Sequence, residues 1–166
     1  MGQRISLFFV VFLGLIIGCT EPPDYPNEPQ LRYIGLNKNT ILQGRTAAQT
    51  DTLVILFSFT DGNGDLGDET ATNLFIRDSR DNSLNPVVIK PIPEQGSGNG
   101  ISGEITVTLI NNNEASKMCC IFPDRRVCFT DPRYPIDTFS YSIQMKDRAG
   151  NLSNIIRTEK ITLLCQ

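Results

Sequence analysis

The sequence predicts an all-β domain, and three observations support this prediction. From about residue 31 onwards, apolar residues alternate with polar ones, and a period of two is that of a β-strand. The apolar spacing of a long amphipathic helix does not occur in the same region. The alternating runs are short, and stretches rich in Gly, Asn, Asp and Pro separate them, as is typical of turns. We therefore expect an antiparallel β-sandwich of about seven strands.

Three of the alternating runs are clearest. The run at 53–60 has one fully apolar face and a half-apolar second face, so we expect a central strand there. The runs at 104–109 and 139–146 have one apolar and one polar face, and each is expected to cover the core with the apolar one. Weaker runs complete the count, at 31–36, 73–78, 86–92 and 152–164.

Seven short strands within residues 31–166 predict a single immunoglobulin-like antiparallel β-sandwich, because two packed sheets bury alternating faces without helices. Between the last two predicted strands, residues 146–154 read Lys-Asp-Arg-Ala-Gly-Asn-Leu-Ser-Asn, a polar turn with residues suited to left-handed backbone. This turn resembles the corresponding turn of bacterial immunoglobulin-like and fibronectin-like surface domains, in which an Asp, Ala-Gly-Asn and a Ser recur in this order. The resemblance supports the same fold.

The N-terminus has the layout of a secretory signal. Arg4 precedes the mainly apolar residues 5–17, and a small glycine then precedes Cys19. The segment Leu-Ile-Ile-Gly-Cys at 15–19 resembles the lipobox of bacterial lipoproteins, whose cysteine is acylated. This resemblance implies that residues 1–18 are a lipoprotein signal peptide and that Cys19 carries the lipid anchor. The alternative is an ordinary signal peptide with an incidental cysteine.

Residues 19–30 are predicted to form an extended tether. Four prolines occur within residues 20–29, and such a spacer spans about 3.1 Å per residue, or roughly 30 Å. The lipobox, the segment Asp-Gly-Asn-Gly-Asp-Leu-Gly at 61–67 and the late cysteines together resemble small lipoproteins of the Bacteroidota. That resemblance implies a lipid-anchored location at the cell outer membrane, facing the periplasm or the surface, and implies no activity.

Composition narrows the function classes. Without residues 1–18 the chain has 14 Lys and Arg against 18 Asp and Glu, a net charge of −4, and no basic block that would attract nucleic acid. It contains no histidine, which removes the usual general base and His-ligated metals. We therefore expect no catalytic residues and a non-enzymatic binding or scaffolding module for an envelope protein or glycan. An enzyme that uses a carboxylate or a thiolate is the alternative.

The loop after the strongest strand has oxygen-bearing side chains at alternate positions. Asp61, Asn63 and Asp65, separated by glycines, resemble the first half of an EF-hand or dockerin-type calcium loop. The second half departs from that pattern, because Leu66 and Thr72 occupy the positions of the turn glycine and the bidentate Glu. In an immunoglobulin-like sandwich the turn at 146–154 lies at the same end of the domain as this loop, which would bring Asp147 towards the loop acids.

These features predict a Ca²⁺ site and, as the alternative function, a calcium-dependent structural spacer with the ion at the Asp61 to Asp68 loop. The candidate ligands are Asp61, Asn63, Asp65, Asp68 and Asp147. A second interpretation needs no metal, because Asp-Gly and Asn-Gly are also common hairpin-turn dipeptides.

Four further cysteines predict two disulfides in an oxidising compartment: Cys119, Cys120, Cys128 and Cys165. A bridge between the adjacent Cys119 and Cys120 is geometrically strained, so two pairings remain, and in each Cys128 and Cys165 bind different members of the adjacent pair. A zinc site is the alternative, although the Cys-x-x-Cys spacing is missing.

The segment around these cysteines also contains arginines and aromatic residues: Phe122, Arg125, Arg126, Phe129, Arg133 and Tyr134. Arginine and aromatic side chains are favoured in protein interfaces. The segment therefore indicates either a contact patch or a solvated loop.

Overall fold

A computed structural model describes residues 24–44, 51–93, 100–111, 118–125 and 128–165. This part of the chain contains ten β-strands and no helix, so the prediction of an all-β domain is confirmed. The strands are β1 (Gln30–Leu36), β2 (Thr40–Leu42), β3 (Asp51–Asp61), β4 (Leu74–Asp78), β5 (Leu84–Val87), β6 (Ile101–Asn111), β7 (Ile136–Phe139), β8 (Tyr141–Met145), β9 (Ile156–Arg157) and β10 (Ile161–Leu164). The predicted signal peptide at 1–18 and the predicted lipidation site Cys19 lie outside the described residues.

The strands form three sheets. One sheet has the order β1-β3-β6 and a second has the order β5-β4-β8-β9, and every pair in these two sheets is antiparallel. The third has the order β2-β10-β7, and β2 runs parallel to β10. The prediction of a purely antiparallel arrangement is therefore wrong at β2. This strand has three residues, of which only Ile41 is buried, so it is too short for alternation to reveal it.

The central position predicted for the strongest run is confirmed. β3 pairs with β1 along one edge and with β6 along the other, over all eleven of its residues in the second case. Its inward side chains are almost completely buried: Leu53, Ile55, Phe57 and Phe59. They belong to one apolar cluster to which all three sheets contribute.

Two predicted strands are each divided by a change of sheet. The run at 139–146 falls on β7 and β8, which belong to different sheets and are separated by Ser140. Burial nevertheless keeps its period of two across the break, because Phe139 and Tyr141 are both buried with their rings edge to face, 5.1 Å apart. The run at 152–164 is likewise divided between β9 and β10. Alternation reports burial, and it does not report the sheet to which a strand belongs.

The strand predicted at 86–92 is shorter than expected. β5 ends at Val87, and the chain beyond it is held by a side chain instead of a strand ladder. The buried Asn73 amide accepts a hydrogen bond from the Ile89 N–H (2.8 Å) and donates one to the Ile89 carbonyl (2.7 Å). An amide that satisfies both backbone groups of an extended residue replaces a sheet partner there.

The two longest strands, β3 and β6, define the two ends of the domain. Asp61 pairs with Ile101 at one end, which we call the loop pole, and Asp51 pairs with Asn111 at the other, which we call the disulfide pole. Eleven residues at about 3.3 Å each separate the poles by about 35 Å.

Two disulfides lie at the disulfide pole. Cys119 is bonded to Cys128 and Cys120 to Cys165, with Cα separations of 4.6 and 5.9 Å, which is one of the two predicted pairings. The buried Gln43 side chain, just beyond β2, accepts a hydrogen bond from the Cys120 N–H (2.7 Å) and donates one to the Cys128 carbonyl (3.3 Å). The cysteine segment and the chain after β10 are thereby fixed to the core.

Candidate functional site

The loop between β3 and β4, residues 61–73, begins where the strongest strand ends. Gly64 and Gly67 have φ values of +70° and +90°, a conformation that side chains other than glycine seldom adopt. Leu66 lies between them with a fully buried side chain that belongs to the core. The residue that breaks the calcium-loop pattern is therefore the apolar anchor of the loop.

The turn at 146–152 packs against this loop, as the sequence predicts. The backbone N–H groups of Arg148 and Ala149 donate to the carbonyl oxygen and the carboxylate of Asp65, at 3.2 and 3.0 Å. The Arg148 guanidinium donates to the carbonyl of Gly67 at 3.2 Å. Residues far apart in sequence thus form one joined structure at the loop pole.

Three aspartates meet where the loop and the turn join: Asp61, Asp65 and Asp147, which we call the acidic trio. One oxygen of each carboxylate lies within 4.8 Å of an oxygen of each of the others. Asp147 is held by its own turn, because Asn151 donates to its two oxygens from the backbone N–H (2.7 Å) and from the side-chain amide (2.8 Å).

Asp61 is the unusual member of the trio. Its side chain is fully buried, and within the described ranges neither of its carboxylate oxygens has a hydrogen-bond partner. Burial raises the pKa of Asp61 to about 6, and the Asp65 charge and, less strongly, the Asp147 charge add to the rise. The backbone N–H groups of Asp65 and Gly64 partly offset this rise in pKa. Neither of them has the geometry of a normal hydrogen bond to the carboxylate. One oxygen of Asp65, Oδ1, is also buried without a partner.

The raised pKa of Asp61 predicts how stability depends on pH in buffer free of divalent cations. Because the folded state holds this proton more tightly than the unfolded chain, the contribution of Asp61 is full below about pH 4 and is lost as the pH rises through about 6. A change of one unit in a pKa corresponds to about 1.4 kcal/mol. Because solvent near the loop screens part of this effect, we expect the free energy of unfolding to fall by about 2 kcal/mol. Urea unfolding at pH 4, 5, 6 and 7 measures it.

Asp61→Asn serves as the matched control for this pH dependence, because the amide keeps the shape and removes the charge. The variant is expected to lack the fall in unfolding free energy between pH 4 and 6. An unchanged pH profile in Asp61→Asn would assign the dependence to other groups.

Two residues predicted as ligands lie outside the trio. Asp68 accepts hydrogen bonds from the backbone N–H groups of Ala71 (2.8 Å) and Thr70 (2.9 Å), and these bonds lower its pKa. Asp68 therefore stabilises a turn within the loop. Asn63 is exposed at the tip of the loop. The structure brings together Asp61, Asp65 and Asp147, and Asp68 is not part of this group.

The end of the tether also contacts the loop pole, which the sequence did not indicate. The Gly62 N–H donates to the carbonyl oxygen of Pro26 at 2.7 Å. A Cβ at Gly62 would overlap the backbone of Tyr25 and Pro26, and a Cβ at Gly100 would come within 2.9 Å of the Tyr25 ring. The absence of a side chain at both glycines therefore lets the tether lie against the domain.

Gly67→Ala is expected to lower the free energy of unfolding by about 2 to 3 kcal/mol. The positive φ contributes about 1 kcal/mol, and a Cβ would also overlap the Lys90 carbonyl and come within 2.7 Å of the Pro91 Cα. Gly150 has a similar φ of +96° with nothing within 4 Å, so Gly150→Ala is the control and should lose only about 1 kcal/mol. Equal losses in urea unfolding would contradict this account.

A groove of about 440 Å³ lies on the chain near the disulfide pole. Its lining residues are Phe122, Pro123, Asp124, Arg125 and Tyr134, and we call it the aromatic groove. The Phe122 and Tyr134 rings are 5.2 Å apart, and the Tyr134 side chain is 49% exposed. Nearby Phe129 and Ile136 are exposed as well, so the groove lies within a wider apolar surface.

No known protein family, curated protein or solved structure matches the chain. In the ranges that the structure describes, no helix has the length and apolar character needed to cross a membrane. The features that bear on function are therefore the acidic trio at the loop pole and the aromatic groove near the disulfide pole.

Proposed function

We propose that the chain is a lipid-anchored, extracytoplasmic and non-enzymatic module of the cell envelope, which binds or scaffolds another envelope protein. One observation carries the proposal: the tether meets the domain at the loop pole, and the aromatic groove lies near the disulfide pole, about 35 Å away along β3 and β6. With the lipid on Cys19, this arrangement directs the groove away from the bilayer.

An immunoglobulin-like sandwich is the fold that we propose for this module. In such a sandwich the first, second and fifth strands share one sheet and the third, sixth and seventh share the other. The orders β1-β3-β6 and β4-β8-β9 support it, since these strands match the predicted runs in that sequence. β5 departs from the seven-strand arrangement, because it pairs with β4 and not with β6.

The surface chemistry of the groove favours a protein partner. The guanidinium groups of Arg125 and Arg133 lie 6.0 and 5.8 Å from the ring centroids of Phe129 and Tyr134. A glycan would need those ring faces free for stacking, whereas arginine and aromatic side chains together are enriched in protein interfaces.

Lipid anchoring is tested with the full chain expressed in a bacterium with labelled palmitate. We expect label on the wild type, recovery of the protein with membranes, and loss of both in Cys19→Ala. Label in Cys19→Ala, or wild-type protein free of label, would overturn the anchor.

Binding at the groove is tested with a photo-crosslinking amino acid at position 134, using position 34 as the control. Tyr134 and Ile34 are 49% and 45% exposed, so the two positions offer similar access. One discrete protein adduct from position 134 and none from position 34 would support the proposal. Equal adducts at both positions, or adducts with polysaccharide alone, would overturn it.

A second candidate function is a structural spacer that depends on calcium. The observation that favours it is the buried carboxylate of Asp61, which lacks a hydrogen-bond partner beside two other acids. A charge in that position needs a compensating cation or a proton.

A further inference from the structure

Among the described residues, no cationic side chain forms an ion pair with the acidic trio. Arg148 contacts the same loop, but its guanidinium donates to the backbone carbonyls of Leu66 and Gly67. The ion pairs found within the described part of the chain involve other acids. Three formal negative charges therefore face one another, and both Asp61 oxygens and Asp65 Oδ1 accept no hydrogen bond from the described residues.

The geometry of the trio fits a calcium ion. Ca²⁺ binds carboxylate oxygens at 2.3–2.6 Å, so oxygens that share one ion lie up to about 5 Å apart. The trio oxygens lie within 4.8 Å of one another. Asp61 offers two buried oxygens and Asp65 offers Oδ1, and none of the three has a hydrogen-bond partner among the described residues. A flexible set of carboxylates, completed by carbonyls or water, favours Ca²⁺ over the strict octahedron of Mg²⁺.

We propose that Asp61, Asp65 and Asp147 bind one Ca²⁺ ion, and that the ion fixes the tether where it joins the domain. The inference deepens the second candidate function, because it names the ligands and the segment that calcium would stiffen. It is independent of the lipid on Cys19.

The link to the tether follows from the neighbours of the trio. Gly62, which holds the Pro26 carbonyl, directly follows Asp61. On the other side, the Asn154 side chain accepts a hydrogen bond from the Leu31 N–H (2.7 Å) and donates one to the Leu31 carbonyl (2.9 Å). Both chain segments that supply the acids therefore also hold the end of the tether and the start of β1. An ion that joins the two segments stiffens this attachment.

Calcium binding is tested on the disulfide-bonded full chain in mild detergent, by thermal unfolding in CaCl₂ and in excess chelator. At a calcium concentration about 100 times the Kd, we expect the midpoint to rise by about 5 to 10 °C. Asp61→Asn and Asp65→Asn are expected to lose this rise, with calcium affinity at least 100-fold lower by calorimetry. Circular dichroism checks that both variants fold.

Asp68→Asn is the matched control for the ligand set, because it removes the same charge from the same loop outside the trio. It is expected to keep the calcium response. Loss of the response in Asp68→Asn, or no response in the wild type, would overturn the site. The palmitate and crosslinking results would stand in either case, so failure of the site and failure of the envelope module are distinguishable.

The effect on the tether is measured by hydrogen exchange at the Gly62 amide, which donates to Pro26. Calcium is expected to slow this exchange at least tenfold in the wild type and to leave it unchanged in Asp61→Asn. Calorimetric binding of calcium with unaltered exchange at Gly62 would overturn the tether part of the proposal and retain the ion site.

Discussion

Replacing Arg80 with methionine is expected to lower the free energy of unfolding by about 3 to 5 kcal/mol, because it removes the positive charge paired with one buried and one partly buried acid. The Arg80 guanidinium forms ion pairs with Asp78 and Asp137, each at 2.6 Å, and also donates to the Cys119 carbonyl at 2.9 Å. The Asp78 side chain is only 3% exposed. The Arg80 guanidinium also lies 4.2 Å from the centroid of the Phe139 ring.

Urea unfolding of the oxidised protein at pH 7 measures this loss. Arg77→Met is the control, because Arg77 is an exposed arginine on β4, and it should change the unfolding free energy by less than about 0.5 kcal/mol. The double variant Asp78→Asn with Arg80→Met should recover part of the loss, since the unpaired charge is gone. Equal losses in Arg77→Met and Arg80→Met would contradict the assigned role.

The sequence predicts the long strands well and the short ones poorly. β3 and β6 have eleven residues each, so several inward positions repeat the alternation. β2 and β9 have three and two residues, and each has a single buried side chain. Their positions are decided by pairing with distant strands, which periodicity along the chain does not encode.

The candidate site was predictable where its residues share one loop. Asp61 and Asp65 follow the strongest strand, and sandwich topology correctly brought Asp147 towards them. Spacing alone also selected Asp68, because a ligand pattern does not reveal which acids accept backbone hydrogen bonds in turns. The contact between Gly62 and Pro26 depends on the path of the tether, which the sequence did not indicate.

The disulfide pairing shows the same limit. The sequence excludes a bridge between the adjacent cysteines and leaves two pairings. They differ in which member of the adjacent pair bonds to Cys128 and which to Cys165. The choice is made by tertiary packing, because Cys120 lies in the apolar cluster together with Cys165, and the Gln43 side chain holds the Cys120 backbone there. Cys119 lies on the other side of the chain and meets Cys128.

Removing the Cys120–Cys165 disulfide is expected to cost more stability than removing the Cys119–Cys128 disulfide. The first closes a loop of 45 residues and the second a loop of 9. If a disulfide acts mainly by restricting the unfolded chain, the losses are about 4 and about 2.5 kcal/mol at 25 °C. The double variants Cys120→Ala with Cys165→Ala, and Cys119→Ala with Cys128→Ala, are compared by urea unfolding under oxidising conditions.

The folded state adds to this difference. Cys120 and Cys165 both belong to the apolar cluster, whereas in the second bridge Cys119 is buried and Cys128 is exposed, so alanine leaves the larger buried space at the first bridge. Loss of the first bridge also frees the chain after β10, the central strand of the third sheet. A larger loss from the Cys119 and Cys128 variant would show that the short loop stabilises the native state directly, through the segment that lines the aromatic groove.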